Sequence, residues 1–117
     1  MIRSLLTATA LLLPAAALAG TIDGFSDILV FGDSLSDPDV PGLPPALFPE
    51  GQVTNGDTWA VQLGLSEAGV NNFAVAGARA KSDGTDDLPE QISAFITTGQ
   101  TLGSNALAAI YIGGNDI

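Results

Sequence analysis

The 117-residue sequence contains no cysteine and no histidine. The lack of cysteine excludes a disulfide framework and thiolate chemistry within these residues. The lack of histidine excludes imidazole as a metal ligand or as a general base. No metal-ligand cluster, phosphate-binding loop or nucleotide fingerprint stands in their place. We therefore expect neither a metal nor a cofactor.

Positive charge is also scarce. Three lysines and arginines face thirteen aspartates and glutamates, which gives a net charge of −10. Such a surface repels nucleic-acid phosphates and anionic lipid headgroups. We therefore expect no nucleic-acid partner, and nothing in the sequence implies a stable protein partner. Solubility, or life in salty surroundings, explains the acidity as well as any function does.

The first twenty residues, "MIRSLLTATALLLPAAALAG", have the pattern of a secretory signal. Arg3 supplies the positive end, residues 5–13 form a short apolar core, and Ala-Leu-Ala at 17–19 is a cleavage signal. We predict a signal peptide over residues 1–19, cleaved after Ala19, and a secreted or periplasmic protein. An uncleaved N-terminal anchor is the alternative, although the apolar run is short for a membrane span.

Residues 20–117 alternate between apolar runs and helical patterns. The predicted elements are a strand at 27–31, a helix at 57–65, a strand at 69–77, a helix at 88–99 and a strand at 106–114. The alanines of the last run leave a helical start possible. We expect Asp57 to cap the first helix, and Ile92, Phe95 and Ile96 recur at helical spacing in the second. This order predicts an α/β fold with a parallel sheet and right-handed crossovers.

The three predicted strands all end in small or polar residues, and in such sheets ligands bind at the carboxyl ends of the strands. Ser34 is the candidate nucleophile, while the Gly77 N–H and the Asn115 amide are candidate oxyanion donors. Taken singly, each residue has an ordinary explanation as a cap or a turn residue. Together, on three successive strand ends, they indicate an oxyanion hole.

The residues around Ser34 raise two further expectations. A helix opening at Leu35 and Ser36 would aim backbone N–H groups toward the oxyanion. The carboxylates of Asp33 and Asp37 are weak bases for a hydroxyl. We interpret Asp33 as a cap at the strand end and Asp37 as an exposed loop residue.

Three blocks of the sequence, in order, resemble those of GDSL-type, or SGNH, serine esterases and lipases. "FGDSLSD" carries Ser34, "NNFAVAGARA" carries Gly77, and "GGND" carries Asn115. The intervening "FPEGQVTNGDTWAVQLGL" is similar to the segment that plant-type and bacterial secreted members have there. The resemblance spans residues 27–117. It implies a three-layer, flavodoxin-like parallel sheet (the SGNH hydrolase fold), with Ser34 as nucleophile, Gly77 and Asn115 in the oxyanion hole, and a small-molecule or lipid ester as substrate.

One block of that family has no counterpart in the sequence. It is D-x-x-H, which supplies the aspartate and histidine that activate the serine. We therefore interpret residues 20–117 as the N-terminal part of a hydrolase domain, with those two residues beyond Ile117, and expect these residues alone to be inactive. The alternative is a non-catalytic secreted binding domain, or a relic, of the same fold.

Apolar residues near the first block have two interpretations. They line an acyl site, or they belong to ordinary loop and core packing. The residues concerned are Leu35, Leu43, Leu47, Phe48 and Trp59.

Overall fold

The computed structural model describes residues 22–117, so the predicted signal peptide lies outside the described residues. The elements in chain order are β1 (Asp27–Gly32), α1 (Trp59–Gln62), α2 (Leu88–Thr98) and β2 (Ala106–Tyr111). They form an α/β arrangement around a parallel strand pair. No helix in this part of the chain has the length and apolarity that crossing a bilayer requires.

β1 and β2 pair in parallel along their whole length. The register runs from Asp27 opposite Ala106 to Gly32 opposite Tyr111. A parallel pair requires a long crossover connection, and α2 lies within that connection. Both strands therefore end at the same edge of the sheet, as the predicted order of elements requires. β2 is three residues shorter than predicted, because the residues after Tyr111 leave the ladder.

The segment predicted as a middle strand, 69–77, runs beside the other edge of β1 but is not a regular strand, so that prediction was wrong. Val30 accepts the Phe73 N–H at 2.8 Å, and one isolated parallel bridge joins Val30 to Asn72. Val75 also donates its N–H to the Gly32 carbonyl, at 3.1 Å. The Gly32 N–H, which would continue the ladder, donates instead to the Gln91 side-chain oxygen at 2.9 Å, so a side-chain bond competes with ladder pairing there.

Side chains of β1 alternate between two packing clusters. One cluster contains Ile28, Val30, Ala60, Leu65 and Ala74. The other contains Leu29, Phe31 and Phe73, with Leu88, Phe95 and Leu102 packed against it. A strand buried on both faces is a continuous apolar run rather than an alternating one, which is why "DILVF" predicts it.

α1 is shorter than predicted and has a different cap. Thr58, not Asp57, is the N-cap, and its hydroxyl accepts the Val61 N–H at 3.4 Å. Thr58 is buried, and its own N–H donates to the Gln52 side-chain oxygen at 2.5 Å. Asp57 is exposed. The loop before the helix therefore fixes the point at which it begins.

α2 ends at Thr98, one residue before the predicted end, and Gly99 follows it in a left-handed conformation. Its buried face differs from the apolar spacing, because Ile92 is exposed and Ile96 is 68% exposed. Gln91 and Phe95, four residues apart, face the sheet instead. A polar side chain therefore occupies the middle of the packed face.

The amide of Gln91 pairs with the backbone of Gly32, the last residue of β1. Its oxygen accepts the Gly32 N–H at 2.9 Å, and its nitrogen donates to the Gly32 carbonyl at 2.7 Å. The same nitrogen donates to the Asp86 carbonyl at 2.9 Å. Gln91 is 3% exposed. This amide pair ties α2 to the strand end that precedes Ser34.

We predict that Gln91→Leu lowers the free energy of unfolding by roughly 1–3 kcal/mol, because the buried Gly32 N–H is left without an acceptor. Urea denaturation monitored by circular dichroism measures the change. The control is Gln100→Leu, in which an exposed glutamine is replaced; its effect should stay within about 0.5 kcal/mol. Equal effects of the two substitutions would contradict the importance of the amide pair.

Candidate active site

The chain makes one tight turn directly after β1. The Asp33 carbonyl accepts the N–H groups of Ser36 and Asp37 at 3.0 and 3.1 Å. The Asp33 carboxylate accepts the Leu35 N–H at 3.1 Å, so Asp33 caps the turn as predicted. The helix expected at Leu35 and Ser36 does not form, because the chain leaves the turn after Ser36. Ser34 sits half-buried in this turn.

The second predicted site residue, Gly77, also lies in a turn. The Ala78 N–H donates to the Val75 carbonyl at 3.1 Å, and Gly77 has φ +85°. A Cβ at Gly77 would meet nothing within 4 Å, so the backbone angle rather than space selects glycine. Within residues 22–117 the backbone N–H groups of Ser34 and Gly77 have no hydrogen-bond acceptor. One unpaired donor therefore lies in the turn after β1, and the other lies in the turn at the end of segment 69–77.

The third predicted site residue, Asn115, contacts the segment that contains Gly77. Its side-chain nitrogen donates to the Ala78 carbonyl at 2.8 Å, which leaves its second N–H for another acceptor. The next residue, Asp116, accepts the Ala80 N–H at 3.0 and 3.1 Å through its two oxygens. The end of the described chain is thus fastened to the loop after Gly77.

β2 joins the segment that contains Ser34 to the segment that contains Asn115, since the Asp33 N–H donates to the Tyr111 carbonyl at 3.2 Å. The structure therefore brings all three predicted segments to one edge of the sheet. Hydrogen bonds join the segments to one another. Among the described residues, the side chains of Ser34 and Asn115 are not bonded to each other. This edge, with Ser34, Gly77 and Asn115, is the candidate active site.

Asp37 is not the exposed loop residue expected from the sequence. It is 6% exposed. One carboxylate oxygen accepts the Ala76 N–H at 2.8 Å, and the other accepts the Asp39 N–H at 3.0 Å. Burial raises the pKa of Asp37, and the two backbone N–H groups oppose that rise. The carboxylate thus links the Ser34 turn to the residue before Gly77.

Asn72 is a second buried polar residue that the sequence analysis did not single out. It is 1% exposed, and its nitrogen donates to the carbonyls of Ser36 and Leu65 at 2.9 and 2.8 Å. It therefore fastens the Ser34 turn to the segment beside β1. The sequence signal was the pair of asparagines in "VNNFAV", a residue type that turns also favour.

Two of the residues considered for an acyl site are exposed, and one is part of the packing. Leu35 and Leu47 are exposed. Trp59 packs against the cluster that contains Val30, and its indole N–H donates to the Ser36 hydroxyl at 3.0 Å. For Trp59 the packing interpretation is therefore correct.

Asp87 holds the loop on the far side of Gly77. Its oxygens accept the backbone N–H groups of Asp83, Arg79 and Gly84 at 2.7, 2.8 and 2.6 Å. The bonds from Asp83 and Arg79 hold the pKa of Asp87 below its ordinary value of 3.8, although burial acts in the opposite direction. The ionised carboxylate therefore stabilises this loop.

The features described so far define the class of protein: an α/β domain with a polar site where its parallel strands end. A family model described as GDSL-like Lipase/Acylhydrolase matches residues 28–117, a range that includes Ser34, Gly77 and Asn115. The chain belongs to this family of hydrolases. No curated protein sequence matches the chain.

We predict that Asp87→Asn lowers Tm by several degrees at pH 7 and that the deficit shrinks as the pH falls through about 3.8. The folded-state pKa is lowered, so the stabilisation is present above the ordinary value and is lost as the pH falls toward the lowered one. Thermal melts between pH 7 and pH 3 measure the two curves. Asp86→Asn, which removes an exposed carboxylate, controls for the lost charge. Parallel curves for Asp87→Asn and the unmodified protein would contradict the prediction.

Proposed function

We propose that the protein is an ester hydrolase in which Ser34 is the nucleophile. The backbone N–H groups of Ser34 and Gly77 and the side-chain amide of Asn115 hold the oxyanion. The observation that carries this proposal is the bond from Asn115 to the Ala78 carbonyl, next to the free Gly77 N–H. It brings a side-chain donor and a backbone donor from two distant segments to one place, as an oxyanion hole requires.

The architecture we propose is the three-layer, flavodoxin-like sheet of SGNH hydrolases. The alternation of β1 side chains between two packing clusters supports it, because helices on both faces of a parallel sheet require a strand buried on both sides. The family match supports it independently. We also propose that residues 20–117 are the N-terminal part of the hydrolase domain, and that residues 1–19 are a signal peptide that directs the protein out of the cytoplasm.

The chemistry requires a base that residues 1–117 do not contain, since the sequence has no histidine. A serine hydroxyl is a poor nucleophile at neutral pH until a neighbouring base takes its proton. We propose that a histidine and an aspartate outside these residues complete the site. Asp37 does not replace them, because its oxygens are occupied by the Ala76 and Asp39 N–H groups.

In the proposed reaction the Ser34 hydroxyl oxygen attacks the acyl carbon while the histidine takes its proton. The carbonyl oxygen becomes an oxyanion and accepts hydrogen bonds from the three donors. The intermediate collapses, the ester bond to the alcohol breaks, and the histidine protonates the departing alcohol. Water then hydrolyses the acyl-serine by the same route and releases the acid. The substrate is a small-molecule or lipid ester.

We predict that Ser34→Ala, in the protein expressed from its complete reading frame, lowers p-nitrophenyl ester turnover by a factor on the order of 10³ or more, because no other group forms the acyl intermediate. Release of p-nitrophenol measures the loss. The matched control is Ser36→Ala. Ser36 is 0% exposed and its hydroxyl accepts the Trp59 indole N–H, so the hydroxyl does not reach the substrate; its removal should lower stability but leave most of the turnover.

Unchanged turnover in Ser34→Ala would remove Ser34 from the proposed role. The absence of turnover from the unmodified protein would favour the alternative, a non-catalytic secreted domain of the same fold. The 117-residue chain is assayed in parallel, and we expect it to be inactive since it lacks the base.

A further inference from the structure

We propose that Asp37 is a positioning residue that sets the separation between the Ser34 turn and the Gly77 turn. The inference rests on the proposed function of Ser34 and Gly77. The backbone N–H of Asp37 closes the Ser34 turn by donating to the Asp33 carbonyl at 3.1 Å. Its carboxylate accepts the Ala76 N–H at 2.8 Å, directly before Gly77. One residue therefore holds both turns.

The burial of Asp37 argues against an incidental contact. A carboxylate that is 6% exposed has lost most of its hydration, which is unfavourable unless other donors replace it. Two backbone N–H groups, those of Ala76 and Asp39, supply part of that replacement. Bonds from N–H groups to an ionised carboxylate are shorter and stronger than bonds between neutral groups. The Asp37–Ala76 bond is therefore a firm link between segments 39 positions apart.

The Asp37 carboxylate bonds to the backbone before Gly77, whereas the other side chains bond to the backbone after Gly77. The residues after Gly77 are held by Asn115 at the Ala78 carbonyl, by Asp87 at the Arg79 N–H, and by Asp116 at the Ala80 N–H. Asp37 holds the residue immediately before Gly77. The free Gly77 N–H thus lies between fastened neighbours.

The separation of the two turns matters because an oxyanion donor works only over a narrow range of distance. Donors stabilise the oxyanion at about 2.7–3.1 Å, and a displacement of about 1 Å costs on the order of 10²-fold in rate. If Ala76 loses its acceptor, the Gly77 N–H moves relative to Ser34. The effect falls on the transition state, so kcat changes and KM does not.

The experiment compares Asp37→Ala and Asp37→Asn with Asp39→Asn, in the protein expressed from its complete reading frame. Asp39 is exposed, and its side chain makes no bond to the Gly77 segment, so Asp39→Asn controls for the lost charge. We expect Asp37→Ala to lower kcat for p-nitrophenyl acetate by about 10–100-fold with KM within about twofold. Asp37→Asn keeps an oxygen that accepts the Ala76 N–H, and should recover most of that loss.

A second measurement does not depend on turnover. Amide hydrogen exchange at Ala76, followed by nuclear magnetic resonance, should be slow in the unmodified protein and in Asp39→Asn. It should be at least about tenfold faster in Asp37→Ala. The Asp37→Asn variant, which preserves the shape of the side chain, remains informative if Asp37→Ala unfolds.

The outcomes separate this inference from the proposed function. Turnover that Ser34→Ala abolishes and Asp37→Ala leaves unchanged would overturn the role of Asp37 alone. A loss of kcat that Asp37→Asn does not recover at all, with unchanged Ala76 exchange, would also overturn it. Activity that persists in Ser34→Ala would overturn the proposed function and, with it, the role of Asp37.

Discussion

Backbone hydrogen bonding along both edges of β1 places β2 on one side and residues 71–75 on the other. One edge pairs in register with β2. The other edge donates a hydrogen bond to Asn71 and accepts hydrogen bonds from Phe73 and Val75. Its two faces bury separate apolar clusters. Because its neighbours run parallel to it, their carboxyl ends lie at the same edge of the sheet as the carboxyl end of β1, which Ser34 follows. The candidate active site follows from this one constraint.

Buried polar side chains convert that edge into a site of defined shape. Asn72, Gln91 and Asp37 each lie almost wholly out of solvent, and each bonds to backbone groups of other segments. Burying an amide or a carboxylate is unfavourable unless its hydrogen bonds are complete. A displaced loop would leave these groups unpaired, so the same bonds that permit their burial restrict the loops around Ser34 and Gly77.

The sequence predicted the parts of the fold that depend on local pattern. The apolar run of β1, the helix at α2 and the polar strand ends were all visible, and so were the three family blocks. It did not predict that residues 69–77 form no regular strand, because the Gly32 N–H that would continue the ladder bonds to the Gln91 side chain. Nor did it predict the burial of Asp37 or the pairing of Gln91 with Gly32, 59 positions away. Such partners are set by tertiary structure, and an aspartate in a loop has the same local pattern whether buried or exposed.

We propose that the turn after β1, the turn that contains Gly77, and Asn115 surround one oxyanion position. The most direct test is a crystal structure of the protein, expressed from its complete reading frame, after reaction with a fluorophosphonate. We expect phosphorus bonded to the Ser34 hydroxyl oxygen. We also expect one phosphonyl oxygen within about 3.1 Å of the Gly77 N–H and the Asn115 amide. An adduct on another residue, or a phosphonyl oxygen that faces solvent, would contradict it.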